Sequence, residues 1–132
     1  MTNHFHLQLR SQEVSIPKVM SLINKRYANY YNAKYGLTGH VFEKRFYSGL
    51  IVDKEGMFKL SRYIHLNPVE AIIVRNPEEC GWSSFPLFHD PQLDCPGYLD
   101  TSRILNHYGG SEETRRRLYD EEVMGSREGT FL

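Results

Sequence analysis

The chain has 132 residues, 40% of them hydrophobic and 13% aromatic, with a formal net charge of zero. One domain of that length carries a modest core, and the composition excludes a disordered chain. No apolar run nears the roughly 18 residues of a membrane span and no signal-like stretch follows Met1. Cys80 and Cys95 match no metal spacing. The expectation is therefore a cytoplasmic protein with reduced thiols and no membrane partner.

The zero charge hides a split. Residues 1–62 hold ten Lys/Arg against four Asp/Glu, a net +6, whereas residues 63–132 hold six against twelve, a net −6. A basic half interleaved with Tyr and Phe fits a phosphate backbone; the competing reading is a solvated face paired with the acidic half.

The first segment, Asn3-His4-Phe5-His6-Leu7-Gln8-Leu9-Arg10, alternates apolar and polar residues and predicts a strand. Phe5, Leu7 and Leu9 would face a core, while His4, His6, Gln8 and Arg10 share the other face. Two imidazoles side by side suit a divalent metal, with Arg10 placed for an anion. A lone His-x-His is weak evidence, however, and two non-ligating histidines are the commoner outcome. Zinc would want a third or fourth nitrogen or sulfur ligand, and local spacing fixes none.

Ser15 and Pro17 predict a helix start and Gly36 its end, with Val19, Leu22, Ile23, Tyr27, Tyr30 and Tyr31 at helical spacing. Lys18, Lys25, Arg26 and Lys34 surround that stripe. A loop over 36–39 leads to a predicted strand over 41–52, where Gly49 marks a bulge. Asp53 caps a second predicted helix that Pro68 should end at Asn67. Met57, Leu60, Ser61 and Ile64 are its expected buried stripe, and Tyr63 and Asn67 share another face one turn apart.

A short helical stretch is expected over 69–74, then an irregular packed connection over 76–98 with Trp82 as a core anchor. Asp100 or Thr101 caps a helix to Tyr108, Gly109-Gly110 breaks it, and Ser111 caps a last helix to Met124. The final residues are expected to fray. Arg115, Arg116 and Arg117 lie among Glu112, Glu113, Asp120, Glu121 and Glu122, the pattern of a solvated helix.

Taken in order, several stretches resemble one family. They are Asn3-His4-Phe5-His6-Leu7, Arg26-Tyr27-Ala28-Asn29-Tyr30-Tyr31-Asn32 and Thr38-Gly39-His40-Val41-Phe42-Glu43-Lys44-Arg45-Phe46. Arg62-Tyr63-Ile64-His65-Leu66-Asn67-Pro68-Val69, Trp82-Ser83-Ser84, Leu99-Asp100-Thr101 and Tyr108-Gly109-Gly110-Ser111 follow. The series resembles the IS200-like single-tyrosine transposases, in the branch associated with repetitive extragenic palindromes, over nearly the whole chain.

The resemblance implies an α+β fold: an incomplete antiparallel ferredoxin-like sheet packed with helices, plus a helical C-terminal extension. It assigns residues 1–75 to a catalytic core and 76–132 to an irregular connection and C-terminal helices. It implies His4 and His6 as the metal pair, Asn67 as a polar metal contact, and Tyr63 as nucleophile. A phenol with a pKa near 10 is a weak nucleophile until a cation polarises its target. Mg²⁺ or Mn²⁺ suits an amide oxygen better than zinc does. Arg10, Lys25, Arg26, Arg45 and Arg62 become phosphate contacts, while His40 and His65 stay structural.

The implied reaction cleaves and rejoins single-stranded or hairpin DNA through a 5′-phosphotyrosine, in a nucleoid-associated cytoplasmic protein. A nucleic-acid-binding remnant that no longer cleaves is the main alternative, and a metal phosphoesterase with a structural Tyr63 is a third. Family members carry Pro where Thr2 stands, and a strand, helix and strand before the histidine motif. The expected sheet would thus hold two of its four or five strands, inactive as it stands or completed by a homodimer.

Overall fold

A computed structural model describes residues 1–125, and the expected frayed tail falls largely outside them. The elements are α1 (Ile16–Tyr35), α2 (Lys54–Glu70), a 3₁₀ turn (Pro77–Glu79), α3 (Phe85–His89), α4 (Ser102–Leu105) and α5 (Glu112–Gly125). They fall into two compact units: Met1–Leu7 with the chain from Ile51 onward, and Gln8–Leu50.

The α+β expectation fails. No described residue lies in a strand, so there is no ferredoxin-like sheet and none for a second copy to complete. Both expected strands, 3–10 and 41–52, have the right alternation but no ladder partner. Extended backbone becomes a strand only when a neighbour takes up its N–H and C=O groups, and two strands alone are marginal. Phe5, Leu7, Leu9, Leu50 and Val52 consequently stay exposed.

α1 follows its end signals. The Ser15 carbonyl accepts from Lys18 N and Val19 N, and Gly36 closes the helix with φ 62°, the left-handed geometry that glycine tolerates. Met20 is the sole buried side chain of Gln8–Leu50.

In the other unit, Asp53 caps α2 by accepting from Gly56 N at 2.7 Å. α2 does not end at Asn67; it carries Pro68 inside its last turns and runs to Glu70. The missing proline N–H removes one bond, but the Asn67 and Pro68 carbonyls accept from Ala71 N and Ile73 N at 2.9 Å and hold the end together. The expected separate helix over 69–74 therefore merges into α2 and a turn, closed at Ile72 with φ 57°.

The core joins Phe58, Leu66, Phe85, Phe88, Ile104, Leu105, Tyr119 and Val123 from α2, α3, α4 and α5. The buried face of α2 is rotated from the expected stripe. Ser61 is buried as expected, together with Phe58, His65 and Leu66, whereas Met57, Leu60 and Ile64 are only partly so. Trp82 is no core anchor: it is fully exposed in a turn where Ser83 N donates to the Cys80 carbonyl, and Phe85 and Phe88 fill the core instead. α4 stops at Leu105 rather than Tyr108.

α5 meets its expected span, and its arginines serve the fold. Arg116 donates to the Leu87 and Phe88 carbonyls and caps α3, Arg115 reaches Asn106 and the Gly110 carbonyl, and Arg117 pairs with Glu121. No helix among the described residues is long and apolar enough to cross a membrane.

Candidate functional site

The site is built on α2 and the extended segment Met1–Leu7, which belong to one unit. Residues 61, 63 and 65 of a helix point in different directions because each step turns the chain by about 100°. Ser61 and His65 face the core, while Tyr63 faces outward at 47% exposed. In extended chain, residues two apart share a side. The His4 and His6 rings accordingly stand perpendicular with centroids 5.2 Å apart, and His6 meets the Tyr63 ring edge-on at 5.5 Å. Residues from the start of the chain and from α2 thus come together.

His4 Nδ1 lies 2.8 Å from Asn3 Oδ1. An amide oxygen only accepts, so Nδ1 carries the ring proton of the neutral imidazole and Nε2 keeps its lone pair. Burial and, next, the neighbouring His4 charge hold the His6 pKa below the ordinary histidine value. Both effects favour the neutral ring, the form that ligates metals.

Asn67 follows Tyr63 by one turn but lies inside the protein at 8% exposed, and its Nδ2 has no hydrogen-bond partner. Arg62 points elsewhere: its guanidinium bonds Glu122 of α5, whose other oxygen accepts from the Tyr108 hydroxyl. Burial, then the bond to Glu122, pushes the Tyr108 phenol upward. Arg10, Lys25, Arg26 and Arg45 are exposed and belong to Gln8–Leu50.

The most enclosed polar group surrounds His65, which the sequence reading left as structural but without its partners. His65 Nδ1 lies 2.6 Å from the Tyr119 hydroxyl and Nε2 2.8 Å from Ser84 Oγ; Ser61 Oγ lies 2.8 Å from the same hydroxyl. The rings of Phe85 and Phe88 stand edge-on to the imidazole at 5.4 and 4.9 Å. Burial lowers the His65 pKa to about 4 and raises that of Tyr119. The available signal was the four-residue spacing of Tyr119 and Val123 among the charges of α5. This relay fixes α2 against α3 and α5, and so sets the face on which Tyr63 emerges.

The two imidazoles are ligands that a six-coordinate cation takes beside water and phosphate oxygens, whereas the unpaired atom of Asn67 is its amide nitrogen, a hydrogen-bond donor and not a ligand. Among the described residues no group of three or more His, Cys, Asp or Glu is placed to hold a metal. Two imidazoles alone do not make the three- or four-ligand protein set of a zinc site. Comparison with protein-family models, curated proteins and solved structures finds no match.

Proposed function

We propose that the chain derives from the single-tyrosine transposases of the IS200-like superfamily and acts on single-stranded or hairpin DNA. The observation that carries this reading is the convergence of His4, His6 and Tyr63, whose rings meet although His6 and Tyr63 are far apart in sequence. His4 and His6 would hold the divalent ion. When bound, that ion neutralises and polarises the scissile phosphate.

Tyr63 attacks phosphorus through its hydroxyl oxygen, which loses its proton. The P–O3′ bond breaks, the departing 3′ oxygen takes up a proton, and a 5′-phosphotyrosine remains. Because the ester bond is conserved in energy, a second 3′-hydroxyl reverses the step and rejoins a strand. The half-exposed setting of Tyr63 suits an unpaired strand that lays its phosphate against the helix.

The second reading, a binding remnant that does not cleave, draws on the charge of Gln8–Leu50. That stretch holds seven Lys/Arg against two Asp/Glu, and it asks nothing of Tyr63. Incubation with Mn²⁺ and a labelled single-stranded hairpin separates the two. A covalent adduct that survives denaturing electrophoresis and disappears in Tyr63→Phe supports cleavage, and binding without an adduct supports the remnant. Cleavage that persists in Tyr63→Phe defeats the assignment of the nucleophile.

A further inference from the structure

We propose that the groove between α1 and residues 39–46 is a binding site for single-stranded nucleic acid, held by an excess of cations in the groove and by a neighbouring row of α1 tyrosines. The proposal rests on the nucleic-acid reading above but not on cleavage by Tyr63. Everything in it lies within Gln8–Leu50.

The groove has a volume of about 570 Å³, within the range of ligand clefts. Lys25 on α1 and Lys44 and Arg45 on the facing segment line it, with His40, Phe46 and one carboxylate, Glu43, so the cations outnumber the anion three to one. Lys25, Lys44 and Arg45 enter none of the ion pairs among the described residues. Asn24 also lines it, and its Oδ1 lacks a hydrogen-bond partner.

Beside these cations runs an aromatic ladder. Tyr27, Tyr31 and Tyr35 follow one another by single turns of α1, with ring centroids 6.0 and 4.7 Å apart. Phe42 extends the run across the groove, 5.8 Å from Tyr27. Tyr27 and Tyr35 remain 47% and 56% exposed. A row of half-exposed aromatic rings beside an excess of cations suits a partner that offers π faces and negative charge together. Single-stranded nucleic acid offers both, whereas a duplex hides its base faces in the stack.

Anisotropy of a fluorescein-labelled short oligo-dT, measured in EDTA so that no cleavage enters, tests the proposal. The wild type binds with a salt dependence. The exposed double substitution Lys44→Gln/Arg45→Gln lowers the log–log salt slope by about 1.4, two phosphates at roughly 0.7 each. Tyr35→Leu weakens binding roughly tenfold, and Tyr35→Phe, which keeps the π face, does not. If Tyr35→Leu loses helix signal in circular dichroism, the charge pair and Tyr35→Phe decide.

An unmoved slope, equal affinity for the matching duplex, or a self-associated species dissolved by Lys44→Gln/Arg45→Gln would overturn it. Groove-sensitive oligo-dT binding without a Tyr63 adduct sinks only the cleavage reading; an adduct with groove-insensitive binding sinks only this one.

Discussion

The hydroxyl of Tyr119 sits 2.6 Å from Nδ1 of His65, and both side chains are almost wholly removed from water. The partners of the imidazole here are hydroxyls and aromatic rings, which suit a neutral ring and do little for an imidazolium. Burial accordingly brings its pKa down to about 4. In the unfolded chain the ring titrates near the ordinary value of about 6.5, so below that pH the unfolded state binds the extra proton. The stabilising contribution is complete above pH 6.5 and is lost as pH falls towards 4. Its full size is about 3 kcal/mol, from the shift in pKa. Denaturant melts across that window should show the loss. His65→Gln should cost about 1–3 kcal/mol at pH 7 and flatten the acid limb; a limb that stays as steep places the titration elsewhere.

Arg62 is held by Glu122, which predicts a contribution to the fold and none to phosphate binding. Arg62→Gln should lower stability by about 1 kcal/mol, less than a buried pair because Glu122 remains partly solvated. Oligo-dT binding should keep the wild-type salt slope. A slope that drops by about 0.7 would return Arg62 to the DNA.

Ile72 closes α2 with φ 57° and is 91% exposed. A β-branched residue in the left-handed region costs about 1–2 kcal/mol and here gains little from packing. Ile72→Gly should therefore raise stability by about 1 kcal/mol, after the added chain entropy of glycine is subtracted. The midpoint of urea unfolding reads it directly, and a lower midpoint would mean that Ile72 packs against something.

Trp82 is the single tryptophan of the chain and stands fully in solvent. Its emission should already be red-shifted in the native state and change little on unfolding, while far-UV circular dichroism reports the loss of helix. Strong quenching by iodide before unfolding is the companion result. A blue-shifted native spectrum would put the indole back inside.

What the sequence carried best were local signals with a chemical cause. Ser15, Pro17 and Gly36 bound α1, and Asp53 caps α2, because each satisfies or terminates the backbone within a few residues. The same holds for the juxtaposition of His4 and His6, which stand two residues apart in the chain. Readings that needed a distant partner fared worse. Alternation over 3–10 and 41–52 specifies which side of a strand is apolar but cannot supply the neighbour that makes it a strand. Ser61 of the expected α2 stripe is buried, but the rest of the stripe slipped because His65 looks like a surface residue until Tyr119 and Ser84 supply its hydrogen bonds. Arg62 looked available for phosphate because Glu122 lies far along the chain.

The unit holding the histidines and Tyr63 is discontinuous: the chain leaves it after Leu7 and returns at Ile51. Topologically, the intervening 43 residues are an insertion, and the His6–Tyr63 encounter closes a long loop before the site exists. Closure entropy grows with the logarithm of loop length, so a flexible linker of about ten residues would ease it by about 1 kcal/mol. The insertion makes the site slow to assemble as well as long to encode, since contacts at high sequence separation form late. A shortened chain that brings His6 to Tyr63 sooner would separate the chemistry of that pair from the polymer that links it.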